Sequence, residues 1–248
     1  LSAPTRRGGR TRKAGGAVLG GGRWSLVSHL VDASADDTSR TLARANQLLD
    51  RYGLVSREIA AAESIPGGFG PLYKVLSALE EAGRVRRGYF IEGLSGAQFA
   101  RPGTIDRIRD AQPGEEIIGD MPPIDRLPAV DPANPWGSVL PWPETGGAQG
   151  SRPKRIPGAW LLLHQGQPVL YLGPKGRQLT TFPSGLATDD VRAAAFAALQ
   201  DLPRLARRGT LIIEKIDGGP VADSPYLAQL LDAGFVNDYR GVAAEAFA

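Results

Sequence analysis

The chain has 248 residues, 42% of them hydrophobic and 22% charged, a composition typical of a globular protein with one large or two small domains. The net charge is +3, and no apolar run approaches the ~20 residues that cross a bilayer, so no membrane partner is expected. Cysteine is absent, which excludes disulfides, thiolate nucleophiles and cysteine-ligated metals.

Residues 1–31 are predicted to form a flexible, basic linker. This segment has six arginines and lysines and no acidic residue, and seven glycines fall within its first 22 positions. Such a segment suits a polyanion without sequence readout, or it is a solvated linker that binds nothing specific. A short strand is predicted at residues 22–27. The N-terminus has no apolar signal-peptide core and begins at Leu1, so we expect a cytoplasmic piece of a longer protein.

Three helices are predicted within residues 32–101. Apolar residues spaced by three and four indicate the first helix at 37–52, and a capping serine precedes a second helix at 57–63. The third helix starts near Pro71 and ends at Gly83. A basic ribbon follows these helices, and this order is that of a winged helix, in which the third helix is the usual recognition helix.

The predicted nucleic-acid-binding surface combines the third helix with the ribbon at residues 84–91, whose turn is expected at Gly88. Its residues are Tyr73, Lys74 and Ser77 on the helix and Arg84, Arg86 and Arg87 on the ribbon. Glu80 and Glu81 would repel a phosphate backbone, so insertion of the whole helix into a groove is not expected. The alternative is a winged helix that only packs against other domains.

Residues 102–157 are rich in proline and glycine, which predicts an extended connector that wraps a neighbouring unit; residues 102–124 are the part of it between the two predicted domains. Trp136 and Trp142 are the predicted anchors, because indole rings bury a large area. They either dock this strap on its own unit or contact a second subunit, giving a homo-oligomer through symmetric contacts.

Residues 125–248 are predicted to form a small β-barrel-like α+β unit. The predicted elements are strands at 159–163, 169–172 and 178–182, a helix at 191–199, a strand at 210–216, a helix at 225–233 and a closing strand at 235–242. The fold class is therefore α+β: a winged-helix domain followed by a barrel-like unit wrapped by a proline-rich connector.

The sequence lacks the motifs of a phosphate-binding loop and of a zinc protease. Only His29 and His164 are present, and their flanking residues do not suggest a paired metal site. We therefore expect no cofactor, no metal and no ATPase activity.

Three segments of the sequence carry a family resemblance. The longest joins RYGLVSRE at Arg51–Glu58 to GGFGPLYKVLSALEEAGRVRRGYF at Gly67–Phe90. The others are DPANPWG…LPWP at Asp131–Pro143 and the closing GF…RGV at Gly234–Val242. The first resembles the winged helix of the Lhr (large helicase-related) family of bacterial DNA helicases, and the other two are similar to further elements of that family.

The resemblance implies a module from the C-terminal region of a repair helicase. The family couples ATP hydrolysis to 3′-to-5′ unwinding, so the expected partners are DNA or an RNA:DNA hybrid and the remainder of the helicase chain. The family's C-terminal region resembles DNA glycosylases and is associated with self-assembly, and some members excise uracil. The leading prediction is nucleic-acid binding and oligomerisation, and the alternatives are a DNA (uracil) glycosylase and a purely structural oligomerisation domain.

A glycosylase needs a carboxylate near the reacting sugar, by analogy with glycoside hydrolysis. Asp131, in a proline-fixed loop close to Trp136, and Asp238, beside Tyr239, are the candidates. The alternatives are that Asp131 caps a turn and that Asp238 pairs with Arg240.

Overall fold

A winged helix is the first unit of the computed structural model, which describes residues 25–31, 34–111, 122–147, 152–202 and 209–245. Its strands form one antiparallel sheet in the order β1-β3-β2. The elements are α1 (Asp37–Tyr52), β1 (Leu54–Val55), α2 (Arg57–Ala62), α3 (Phe69–Glu81), β2 (Arg86–Gly88), β3 (Gln98–Ala100) and α4 (Thr104–Asp110). The three predicted helices are confirmed to within about two residues.

Local sequence fixes the two long helices of this unit. The Asp36 carboxylate caps α1 by accepting a hydrogen bond from the Ser39 backbone N–H (2.6 Å), which lowers the pKa of Asp36. Gly53 ends the helix with a left-handed backbone (φ 76°), which glycine adopts without a steric penalty. Each helix buries one apolar stripe around Phe99: Ala45, Leu48 and Leu49 from α1, and Leu72, Leu76 and Leu79 from α3.

The wing is longer than the sequence predicts. The turn expected at Gly88 is wrong, because β2 pairs with β3 and residues 89–97 form the loop between them. The buried Gln98 side chain explains this course. Its Oε1 accepts hydrogen bonds from the backbone N–H groups of Phe90 and Ile91 (2.9 Å each), and its Nε2 donates to the Ile91 carbonyl (2.9 Å). One side chain thereby replaces a strand partner for the loop.

The segments flanking the winged helix also differ from expectation. Val27–Leu30 forms a 3-10 helix at the end of the predicted linker (residues 1–31), and Ser25 and Leu26 do not form the strand predicted at 22–27. Residues 1–24, which hold the rest of both predictions, lie outside the described residues. The predicted connector contains the helix α4, with acidic Asp106 in its first turn and basic residues in its last. The Thr104 hydroxyl donates to the Gly53 carbonyl (3.1 Å), so α4 packs on the winged helix.

The second unit contains two open sheets, and the described strands do not close into a barrel. The larger sheet has the order β10-β9-β7-β6-β5-β4, and the smaller has the order β11-β12-β8. The elements are β4 (Asp125–Pro128), β5 (Trp160–His164), β6 (Gln167–Leu172), β7 (Gln178–Thr181), α5 (Asp189–Gln200), β8 (Thr210–Ile213), β9 (Lys215–Ile216), β10 (Gly219–Pro220), α6 (Leu227–Asp232), β11 (Val236–Asp238) and β12 (Gly241–Glu245). We call this the β-unit.

The core of the β-unit lies between α5 and the sheets. Alanines along α5 let the helix approach the strands closely, and Phe196 fills the centre, with its ring 5.8 Å from that of Tyr226. The predicted meander β5-β6-β7 and both helices of this unit are confirmed. No helix among the described residues is long and apolar enough to span a membrane.

Two single strands of the prediction are each divided in the structure. The segment 210–216 breaks at Glu214, so β8 pairs with β12 in one sheet and β9 pairs in parallel with β7 in the other. The backbone N–H groups of Glu214 and Lys215 both donate to the Arg177 carbonyl (2.9 and 3.1 Å), which holds the break. The predicted closing strand is the hairpin β11–β12, with Tyr239 and Arg240 at its turn.

Candidate nucleic-acid interface

The three predicted wing arginines differ in their partners. Arg84 and Arg86 are exposed, and neither forms an ion pair with any described residue. Arg87 is exposed but held: it forms a salt bridge with Glu80 (2.8 Å) and donates to the Tyr73 hydroxyl (2.8 Å). The Glu80 carboxylate raises the pKa of Arg87. Two of the three guanidinium groups are therefore available to a phosphate backbone.

Tyr73 serves mainly to support the recognition helix. Its ring packs edge-on against Phe69 and Phe99 (centroids 6.0 and 5.6 Å apart), while its hydroxyl accepts from Arg87. Lys74, the next residue on α3, is exposed, and no ion pair to a described residue involves it. Lys74, Arg84 and Arg86 therefore carry the accessible positive charge of this unit's α3–wing region.

The wing also presents an aromatic ring that the sequence interpretation did not single out. Tyr89 follows β2 and is 84% exposed, whereas its neighbour Phe90 packs against the core. Alternation of side chains along an extended segment was the available signal, because it places Tyr89 opposite Phe90.

The two candidate catalytic aspartates lie on different loops, and no hydrogen bond or ion pair among the described residues joins them. Asp131 follows β4, and its Oδ1 accepts a hydrogen bond from the Ala133 backbone N–H (2.8 Å), as a turn-capping residue does. Asp238 ends β11, and its Oδ1 accepts from the backbone N–H of Arg240 (2.9 Å) and lies 3.6 Å from the Arg240 Nε. Each carboxylate is thus engaged by its own loop.

A cavity of about 570 Å³ lies between the winged helix and residues 132–140. This volume is within the range of small-ligand pockets. Its walls are mainly apolar, and its polar side chains include Arg51, Tyr52, Glu63 and Arg155. Neither candidate aspartate lines it. Sequence reasoning missed this cavity because its walls come from segments far apart in the chain.

Glu63 is the carboxylate of the cavity wall. It forms a salt bridge with Arg51 (2.9 Å) and accepts a hydrogen bond from the Tyr52 hydroxyl. Burial, and then the Glu63 contact, raises the pKa of Tyr52. Arg155 donates to the carbonyls of Asn134 and Asp131, the latter at 3.2 Å, and so fixes the opposite wall.

Trp136 and Trp142 both contact their own β-unit. The Trp136 Nε1–H donates to the Gly166 carbonyl (3.0 Å). The Trp142 ring stacks on Phe182 (6.2 Å, 18°) and meets Tyr171 edge-on (5.9 Å). Gly137 is required beneath this indole, because its φ is +75° and a Cβ there would lie 2.3 Å from the Trp142 Nε1.

The described residues contain no group of three or more histidine, aspartate or glutamate side chains that could hold a metal ion.

Comparison with known proteins supports the winged-helix assignment. Residues 34–117 match the family model described as "Large helicase-related protein, winged-helix domain". The chain is 41% identical over 230 residues to "Lhr helicase/ probable uracil glycosylase" of Mycolicibacterium smegmatis, and 39% identical over 223 residues to "Lhr helicase/uracil glycosylase" of Escherichia coli K12. Each alignment covers 89% of this chain but only 15% and 14% of the respective relative.

Proposed function

We propose that this chain, which belongs to the large helicase-related (Lhr) family, is a nucleic-acid-binding module whose wing contacts the phosphate backbone. The observation that carries the proposal is that Arg84 and Arg86 are exposed on the wing and form no ion pair with a described residue. They lie in a segment that matches the family's winged-helix model. The proposed partners are DNA or an RNA:DNA hybrid and the remainder of the parent helicase.

The proposed contact depends on the charge of the phosphates more than on the base sequence. Guanidinium groups that neutralise phosphates release counterions, which gives affinity that falls steeply with salt. Glu80, in the last turn of α3, forms an ion pair with Arg87, and its carboxylate would repel a phosphate placed beside α3. The module should therefore bind weakly and with little sequence preference, through the wing more than through the whole recognition helix.

The test measures the affinity for a labelled single-stranded oligonucleotide at several salt concentrations. Replacing Arg84 and Arg86 by alanine should weaken binding and reduce the log–log salt slope by about 1.4, since each lost contact to a single strand contributes about 0.7. Adding Arg87→Ala should change the slope little further. The matched control is the double variant Arg177→Ala and Arg240→Ala, because both arginines are ion-paired in the β-unit.

Unchanged affinity and slope in the Arg84 and Arg86 double variant would contradict the proposal, and the wing would then face protein.

Self-association is a separate part of the proposal, with Trp136 and Trp142 as its predicted residues. Both indoles contact their own β-unit, which favours the alternative that they stabilise one subunit. Light scattering at rising concentration tests this part: masses that are multiples of 26.3 kDa support it, and the monomer mass throughout excludes it. Oligomers that do not bind DNA would instead favour a purely structural domain.

Uracil excision is the second candidate function. The two relatives carry uracil glycosylase in their names, and the cavity is large enough for an extruded base. The test is release of uracil from uracil-containing single-stranded DNA by the chain itself. Asp131→Asn and Asp238→Asn, each checked for an unchanged melting temperature, test the two carboxylates proposed from the sequence, although neither lines the cavity. No release by the wild-type chain would exclude this activity for the module alone.

A further inference from the structure

Tyr89 is presented to solvent by a fixed backbone. The Phe90 backbone N–H donates to the Gln98 Oε1, and the Phe90 ring packs on the core and lies over Gly88, where a Cβ would come within 2.9 Å of it. These contacts hold the residues on either side of Tyr89. The backbone that carries Tyr89 is therefore held in place, and 84% of the residue's surface is exposed on the wing.

The fold of the winged helix does not depend on this ring. Tyr89 forms no side-chain hydrogen bond and no ring contact with any described residue, whereas Tyr73 and Phe99 do. A tyrosine ring left in solvent adds no buried apolar area to the stability of the fold. Arg86 precedes Tyr89 by three residues and Arg84 precedes it by five, so the same ribbon also carries positive charge.

An exposed ring beside cationic side chains is the combination that holds single-stranded nucleic acid. Arginines track the backbone, and the ring stacks on a base, which is possible only when the face of that base is unpaired and unstacked. A duplex offers the same phosphates to Arg84 and Arg86 but no base face to the ring. A stacking ring at Tyr89 therefore distinguishes single strands from duplexes, which phosphate contacts from arginines do not.

We propose that Tyr89 stacks on an unpaired DNA base and makes the wing selective for single-stranded DNA over duplex. This inference rests on the proposed function, since the arginines must first bring the strand to the wing. The hairpin β11–β12 offers a matched control. Tyr239 is 89% exposed at its tip, but Arg240 lies over its ring (5.0 Å) and is paired with Asp238, so the arginine of this hairpin is already engaged.

The experiment uses fluorescence anisotropy of the full chain with three labelled ligands of equal length: oligothymidine, the corresponding duplex, and a strand in which abasic sites replace the bases. The variants are Tyr89→Ala, Tyr89→Phe and the control Tyr239→Ala, each with its melting temperature measured. Tyr89→Ala should bind oligothymidine roughly tenfold more weakly, while its affinity for the duplex and for the abasic strand stays unchanged. Tyr89→Phe and Tyr239→Ala should behave as the wild type.

Two results would overturn the inference, and they differ from failure of the proposed function. If Tyr89→Ala keeps wild-type affinity for oligothymidine, or loses affinity equally for all three ligands, the ring does not stack on a base, yet the arginine contacts stand. If the wild-type chain binds none of the ligands, the proposed function fails and this inference fails with it.

Discussion

The wing and the β11–β12 hairpin present similar residues to solvent in different electrostatic states. Each has a tyrosine more than four-fifths exposed within three residues of an arginine. In the wing, Arg86 forms no ion pair with a described residue; in the hairpin, Arg240 is paired with Asp238 and covers the Tyr239 ring. The composition of a surface loop therefore does not identify a nucleic-acid contact, because the partners of each arginine decide whether it is available.

The two units have nearly the same net charge, so net charge does not distinguish them. Residues 34–111 contain 11 basic and 10 acidic side chains, and residues 122–245 contain 12 of each. What differs is the state of particular arginines: Arg84 and Arg86 of the wing form no ion pair with a described residue, whereas Arg177 and Arg240 of the β-unit are ion-paired. Substitutions in each unit test whether the two units differ in DNA binding and whether each keeps its function when the other is destabilised.

The largest expected effect is on the stability of the β-unit alone. Trp142→Ala removes the ring that stacks on Phe182 and meets Tyr171, and it should lower the free energy of unfolding by about 3 kcal/mol. Calorimetry should show the β-unit melting earlier, while light scattering gives an unchanged mass and DNA affinity persists. A reduced mass would show instead that Trp142 holds subunits together, and lost DNA binding would show that the two units are not independent.

The next effect concerns the shape of the wing. Gln98→Ala leaves the partly buried N–H groups of Phe90 and Ile91 without their acceptor, which should cost about 2 kcal/mol of winged-helix stability. Single-stranded DNA affinity should fall with it, because the backbone that carries Tyr89 is no longer held. Gln167→Ala, at an exposed glutamine of β6, is the control. Normal DNA binding by a destabilised Gln98→Ala variant would show that an ordered wing is not needed.

A smaller effect should follow from releasing a paired arginine. Glu80→Gln removes the partner of Arg87 and should raise DNA affinity roughly threefold and steepen the salt slope by about 0.7, as expected for one additional phosphate contact. Glu214→Gln releases Arg177 in the β-unit and should leave DNA binding unchanged. An equal gain from both substitutions would remove the distinction between the two units.

The smallest effect is a pH dependence at the alkaline end. Burial raises the pKa of Tyr171 above its ordinary value near 10. Above pH 10 the unfolded chain therefore ionises this phenol while the folded chain keeps it protonated, so stability that is fully present at lower pH is lost as pH rises. Tyr171→Phe should abolish this decline in the β-unit, with a loss of about 1 kcal/mol at neutral pH from the hydrogen bond to the Lys154 carbonyl. An identical alkaline decline in the variant would contradict this.

The helices and the meander could be predicted because each depends on short-range patterns. The stripe of α1 and the residues that cap it are adjacent in sequence, as are the turns between β5, β6 and β7. The wing could not be predicted in full, because its course depends on Gln98, a polar side chain that the fold buries. The break at Glu214 likewise depends on a distant carbonyl, that of Arg177.

The candidate site likewise has residues that the sequence predicts and contacts that only the folded geometry shows. Arg84 and Arg86 could be proposed from the sequence as basic residues on a ribbon. The occupation of Arg87 by Glu80 and Tyr73 could not, because it requires the geometry between α3 and β2. The cavity wall formed by Glu63 and Arg155 joins the winged helix to a loop far along the chain, and no local pattern indicates that they meet.

The parallel pairing of β7 with β9 has a consequence for the order of folding. Gln178 of β7 lies opposite Lys215 of β9, and α5 and β8 lie between them in the sequence. β9 therefore cannot pair with β7 until the whole crossover has been synthesised. Parallel pairings that enclose a crossover form slowly, whereas the last strand of the winged helix, β3, is complete at Ala100, before β4 begins. During translation we therefore expect a nascent chain that already carries a folded winged helix while the edge of β7 is still unpaired, so chaperones would be needed at that edge and not at the wing.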